Sequence, residues 1–227
     1  MRDPMQETSI LQAGSASESA LQTNKVLRNT YMLLGLTLVN SAICAGIAMA
    51  MNLGHGAALV MMILGFVMLF VVNATADSGK GIGAIFVFTA LMGASIGPML
   101  NAYLALPNGG ELVMQALGGT ALVFFGLSGY ALTTRKDFSF LGGFLMVGLL
   151  VIVVGSLANM FFQVPAASLA ISAAAVFIMS GLILFDTSRI IHGGETNYIR
   201  ATVALYLDIY NLFVHLLSLL GVFGSDD

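Results

Sequence analysis

Phe140-Leu141-Gly142-Gly143-Phe144-Leu145-Met146-Val147-Gly148-Leu149-Leu150-Val151-Ile152-Val153-Val154-Gly155-Ser156-Leu157-Ala158-Asn159-Met160 runs 21 residues without a charge. At 1.5 Å per residue, a helix of about 20 residues crosses the roughly 30 Å of hydrocarbon in a bilayer. Backbone N–H and C=O groups find no water at that depth, so the segment must satisfy them internally. A membrane β-barrel would alternate polar and apolar residues in runs of about ten. This stretch is apolar on every side, which excludes the barrel.

Six more stretches of the same kind surround it. Together they give seven spans, at about 31–51, 57–74, 81–103, 112–132, 140–160, 166–188 and 201–223. The predicted fold is all-α, a polytopic seven-transmembrane-helix bundle. Composition agrees, with 58% hydrophobic residues, 8% charged and a mean hydropathy of +0.96. A soluble domain carries roughly 25% charged residues and needs them to cover its surface. The lipid bilayer is therefore the first partner this chain implies. Nucleic acid is not one, because no basic patch exists to neutralise phosphates. The single cysteine, Cys44, lies inside an apolar run and reads as a packing residue.

The first 24 residues are polar and lack the apolar content to fold alone, so they are expected to be a disordered tail. No apolar stretch followed by a small-residue cleavage site is present, so no cleavable signal peptide is expected. Residues 24–30 begin the first helix at the membrane surface, 25–223 form the transmembrane domain, and 224–227 are a short C-terminal tail. With seven alternating spans, every Lys and Arg falls on one side: Arg2, Lys25, Arg28, Lys80, Arg135, Lys136, Arg189 and Arg200. The other side holds only Glu111, Asp226 and Asp227. Basic residues resist translocation, so the N-terminus is expected in the cytoplasm and the C-terminus outside.

Small residues let membrane helices approach closely. Gly93-Ala94-Ser95-Ile96-Gly97 carries that pattern in span three, either for packing within the chain or as a dimer face. Pro98 follows at once and should kink the helix, because it removes a backbone donor. The 14 Met residues are dispersed without ligand spacing and read as adaptable filler.

Two charges lie inside spans. Asp186 sits near the basic end of span six, and Asp208 about eight residues into span seven from Arg200. An Asp at a helix centre costs about 2.5–3.5 kcal/mol on the insertion scale. Such residues usually face the bundle interior and mark ion or proton paths. Spans six and seven are antiparallel, so both carboxyls lie in the same half of the membrane and are able to meet. Two carboxyls in one dry site resist being ionised together and would hold a proton in common. The pair then reads as a pH sensor and gate. The alternative is that each Asp is satisfied separately, Asp186 by Arg189 one turn away. Asp208, Asn211 and His215 share one helical stripe, which either lines a water-filled cavity or hydrogen-bonds to neighbouring helices.

Two protease patterns fall short. Gly126-Leu127-Ser128-Gly129 resembles the GxSG motif of rhomboid proteases, which need a His to activate the serine; His215 is the sole mid-span candidate. Aspartates on spans six and seven resemble presenilin-type proteases, but Phe185-Asp186 and Leu207-Asp208 lack the Tyr-Asp and Gly-x-Gly-Asp contexts, and no Pro-Ala-Leu follows. No enzymatic activity and no cofactor or bound metal are expected.

Longer stretches carry a wider resemblance. They include Ser95-Ile96-Gly97-Pro98-Met99-Leu100-Asn101-Ala102-Tyr103, Leu132-Thr133-Thr134-Arg135-Lys136-Asp137-Phe138-Ser139-Phe140-Leu141-Gly142-Gly143, and Ile190-Ile191-His192-Gly193-Gly194-Glu195-Thr196-Asn197-Tyr198-Ile199-Arg200-Ala201-Thr202. With the carboxylate pair on the last two spans, they resemble the Bax inhibitor-1 (TMBIM) family, and more closely its bacterial YccA-like branch. The resemblance covers nearly the whole chain after residue 24. The family implies a seven-helix bundle with the last helix central, and a pH-sensitive calcium leak gated by two aspartates, matched here by Asp186 and Asp208. Calcium is then a permeant ion rather than a cofactor. The branch implies a multi-pass protein of the bacterial inner membrane that binds and restrains the membrane protease FtsH, with the polar N-terminal tail contributing to recognition. One departure stands out. Calcium-leak members latch the pair with an arginine in span two, whereas Ala57 to Ala74 contains no basic residue and Lys80 lies beyond it. Arg189 and Arg200 are the available replacements.

Overall fold

The structure, a computed structural model, describes the backbone of residues 4–224 and the side chains of residues 21–222 and 224. Among the described residues there is no strand. The helices are α1 (Pro4–Ala50), α2 (His55–Thr75), α3 (Lys80–Ser95), α4 (Gly97–Leu104), α5 (Gly109–Thr134), α6 (Gly142–Phe162), α7 (Pro165–Ile191) and α8 (Tyr198–Phe223). A 3-10 turn, Ser139–Leu141, leads into α6. Seven segments are long and apolar enough to cross a membrane: Leu21–Ala50, His55–Thr75, Lys80–Leu104, Gly109–Thr134, Ser139–Phe162, Pro165–Ile191 and Tyr198–Val222. Each falls on one of the seven expected stretches.

The backbone of α1 continues back to Pro4, so the segment expected as a disordered tail (1–24) is helical from there on. Met5, Gln6, Glu7, Leu11, Gln12 and Ala13 are good helix formers, and no proline follows Pro4 within α1. Arg2 and the expected tail beyond Gly224 lie outside the described residues.

The third span is broken, as Pro98 leads one to expect, but the break falls at Ile96. α3 ends at Ser95, and Pro98 sits in the first turn of α4, where a missing N–H costs least. The Ile96 amide reaches back only to the Gly93 carbonyl, at 3.3 Å, which tightens the turn between the two helices. Gly93 and Gly97 both face α1. A Cβ added at Gly93 would collide with the Ser41 carbonyl, and one at Gly97 would come within 2.7 Å of the Ala48 Cβ. The small-residue pattern therefore serves packing within the chain.

α8 is the centre of the bundle. It touches α1, α2, α3, α5 and α7, and Leu205, Tyr206, Leu212 and Leu217 on it are fully buried. Tyr206 packs edge-on to Phe88 of α3, with ring centroids 5.5 Å apart. α6 lies at the edge, held mainly by Leu145 and Ile152 against Ala175 and Ile178 of α7. The chain has 8 Lys and Arg. All of those described lie at one end of the bundle: near the start of the Leu21–Ala50 span of α1, at the start of α3 and α8, at the end of α5 and α7, and in the loop before α6. That end is stitched by hydrogen bonds between loops. Asn197 Nδ2 donates to the Ala76 carbonyl at 2.9 Å and to Asp77 Oδ1 at 2.8 Å. The Phe138 amide donates to Ser188 Oγ at 3.0 Å.

Candidate functional site

α7 ends and α8 begins at the basic end, joined by residues 192–197. Gly193 takes φ +74, a left-handed conformation that costs a glycine nothing. The Gly194 and Glu195 amides then fold back onto the Arg189 carbonyl, at 2.8 and 3.3 Å. Asn197 caps α8 by accepting from the Ile199 and Arg200 amides at 2.8 and 3.2 Å. This short connection sets α7 and α8 side by side and antiparallel, which fixes the level at which their side chains meet.

Asp186 and Asp208 meet. Their carboxyls lie beside each other across the α7–α8 interface. Asp208 is 5% exposed, and the Asp186 side chain is 12% exposed. Asp208 Oδ2 is fully buried and has no hydrogen-bond donor beside it among the described residues. Deprotonated carboxylates are acceptors only, so a hydrogen bond between two carboxyls needs a proton on one of them.

The alternative partner of Asp186 is present as well. Arg189 Nη1 lies 3.5 Å from Asp186 Oδ1, and its Nη2 lies 3.5 Å from Glu195 Oε2. The guanidinium also stands 5.8 Å from the centre of the Phe185 ring. Asp186 thus has both Arg189 and Asp208 as neighbours. Arg200 is elsewhere. It pairs with Asp77 at 2.6 Å on the exposed rim, and so does not contact the carboxyl pair. Of the two candidate replacements for a span-two arginine, only Arg189 touches an aspartate of the pair.

The polar stripe of α8 divides. Asn211 donates to the Leu207 carbonyl of its own helix at 2.8 Å. His215 Nδ1 lies 3.3 Å from Ser172 Oγ of α7, which in turn lies 3.4 Å from Ser218 Oγ. These three line a cavity of about 630 Å³ at the end opposite the basic one, together with Ser156, Asn159 and Ser168. His215 lines this cavity, whereas Asp208 and Asn211 do not. Ser128 of the GxSG pattern pairs with Thr187 at 3.2 Å, so it and His215 have separate partners. Among the described residues, no cluster of three or more His, Cys, Asp or Glu is placed to hold a metal ion.

Several contributors escaped sequence reasoning. Tyr206 shares a hydrogen bond of 2.8 Å with Ser41 of α1, and Tyr210 one of 3.1 Å with Ser95 of α3. Their spacing of four residues in a membrane span was the available signal. Glu195 and Asp77, the partners of the two arginines, gave none, because loop acids look alike in sequence.

A family model described as inhibitor of apoptosis-promoting Bax1 matches residues 23–225. A Vibrio cholerae protein named only as a membrane protein is 50% identical over 94% of this chain and 96% of its own length. An Escherichia coli protein named modulator of FtsH protease YccA is 53% identical over 92% of this chain and 94% of its own. A Pseudomonas aeruginosa protein is 47% identical over 95% and 97%. Matched along almost its whole length, with its last helix at the centre of seven spans, the chain belongs to the Bax inhibitor-1 family of membrane proteins.

Proposed function

We propose that this protein works without catalysis, by binding and restraining a membrane protease of the FtsH type in the bacterial inner membrane, with its N-terminus in the cytoplasm. The observation that carries this reading is the 53% identity, along 92% of this chain, to a protein named modulator of that protease. The side-chain geometry is consistent with a binding role, since buried hydroxyls such as Tyr206 with Ser41 and Ser128 with Thr187 pair across helices. The confinement of the described Lys and Arg to one end supports the orientation. The test is site-directed photo-crosslinking in cells, from positions along α1 and on the lipid-facing side of α6. Adducts containing the protease are expected. Their absence from every position would remove the reading.

A second reading is favoured by the Asp186–Asp208 contact: a proton-sensitive calcium leak. One proton held between the carboxyls keeps α7 and α8 together, and its loss leaves two like charges in a dry site, which drives the helices apart. Arg189 stands where it would moderate that repulsion, and Glu195 stands where it would compete for Arg189. Calcium flux through purified protein in liposomes, measured against pH, tests it. The wild type is expected to leak in a pH-dependent way, and Asp208→Asn to lose that dependence. If neither leaks at any pH, the carboxyl pair is a structural feature of a binding protein.

A further inference from the structure

A second cavity, of about 710 Å³, lies on the other side of α8. α1 and α5 both pack on α8 and form its two walls. Small residues hollow it out: Gly35, Ala42 and Gly46 on α1, and Ala121 on α5. Unlike Gly93, which lets α1 and α3 touch, Gly35 and Gly46 have nothing within 4 Å of where a Cβ would stand. The mouth faces lipid, since Val39, Leu117 and Phe125 on its rim are 59%, 50% and 70% exposed.

Size and charge decide what fits. A helix about 10 Å across occupies roughly 420 Å³ per 5.4 Å turn. The cavity therefore admits fewer than two turns, far short of a crossing segment from a partner. A flexible hydrocarbon chain has no such limit, and the space lies within the usual range for a small-molecule site. Arg28 stands on the same face of α1 as Gly35 and Ala42, at i, i+7 and i+14, one turn before Tyr31 of the cavity wall. Lys25 stands one turn further out. Both are exposed, and neither has an ion-pair partner among the described residues. They flank the cavity at the depth where a span begins and headgroups lie.

We propose that the α1–α5 cavity holds one acyl chain of an anionic phospholipid whose phosphate sits at Arg28 and Lys25. The lipid fills the space that the small residues leave and meets two cations that have no ion-pair partner among the described residues.

The full-length protein, taken from bilayers of equal phosphatidylglycerol and phosphatidylethanolamine, tests this by native mass spectrometry of the lipid it keeps. One retained phosphatidylglycerol is expected in preference to phosphatidylethanolamine. Arg28→Gln should cut that preference about fivefold while leaving a chain bound, the factor expected for one basic residue at a membrane surface. Gly35→Leu and Gly46→Leu should displace lipid of either class, and thermal unfolding should confirm that both variants fold, since their new side chains meet open space. Equal retention of the two lipids with no response to Arg28→Gln overturns the anionic site. Retention unchanged by both leucines overturns the cavity as its seat. Disulfide formation between two copies through Val39→Cys, with no lipid kept, assigns the cavity to a second copy instead.

Discussion

α6 and α8 are both long and apolar enough to cross a bilayer, yet they occupy opposite places in the molecule. α6 is the more apolar and lies at the edge, with Val147, Leu150, Val151 and Val154 turned to lipid. α8 carries Tyr206, Asp208, Tyr210, Asn211 and His215 and lies at the centre. In water the more apolar helix would be the buried one. In lipid, apolar side chains gain nothing by leaving the hydrocarbon, while polar ones need protein partners. The contrast teaches that in this fold position follows from where polar groups find partners rather than from hydrophobicity.

The sharpest way to break the comparison is truncation. Leu205→Ala, on the fully buried side of α8, is expected to cost about 2–5 kcal/mol through the cavity it leaves. Leu150→Ala, 57% exposed on α6, is expected to cost less than about 0.5 kcal/mol. Reversible unfolding in micelles measures both, and equal losses would contradict the placement of the two helices. Next comes the helix entrance. Asn197 caps α8 and ties it to the α2–α3 loop, whereas α6 starts without a side-chain cap. Asn197→Ala is expected to cost about 1 kcal/mol for the cap. A neutral result would show that neither the cap nor the tie to Asp77 contributes.

A smaller effect concerns single hydrogen bonds within α8. Tyr206→Phe removes the bond to Ser41 and is expected to cost about 0.6 kcal/mol, the average for hydrogen bonds between membrane helices. A loss several times larger would make this pair a main support of the α1–α8 contact. The smallest effect lies at the entrance to α6. Asp137 accepts the Ser139 amide at 2.8 Å, and this bond, aided by nearby His192, holds its carboxyl below the ordinary range. A group lowered on folding favours the folded loop above its ordinary value and loses that contribution as pH falls. The Ser139 amide resonance should therefore titrate with a midpoint below the roughly 3.9 of a free Asp. A midpoint at or above that value removes the cap.

The spans were readable because length and lack of charge alone identify a crossing helix, as 140–160 illustrates. The meeting of Asp186 and Asp208 was readable too, because antiparallel neighbours with a short connection leave little freedom in register. Neighbour choice was not. A helix apolar on all sides carries no periodicity to separate the face on protein from the face on lipid. Hence the role of Gly93 and Gly97 stayed open between packing within the chain and a dimer face. Arg200 was read as an available replacement for the span-two arginine, and its actual partner, Asp77, gave no signal because it lies 123 residues away in sequence.

The two glycines that face α1 differ in what opposes them, and this has a consequence for how the sequence is free to drift. The obstacle at Gly93 is the Ser41 carbonyl, which belongs to the main chain, so no change of residue at 41 makes room for a side chain at 93. The nearest obstacle at Gly97 is the Ala48 Cβ, and the main-chain atoms behind it stand at 3.2–3.3 Å, within reach of a small shift. Positions 97 and 48 are therefore able to exchange glycine and alanine between them over evolutionary time. Position 93 has no partner with which to bargain.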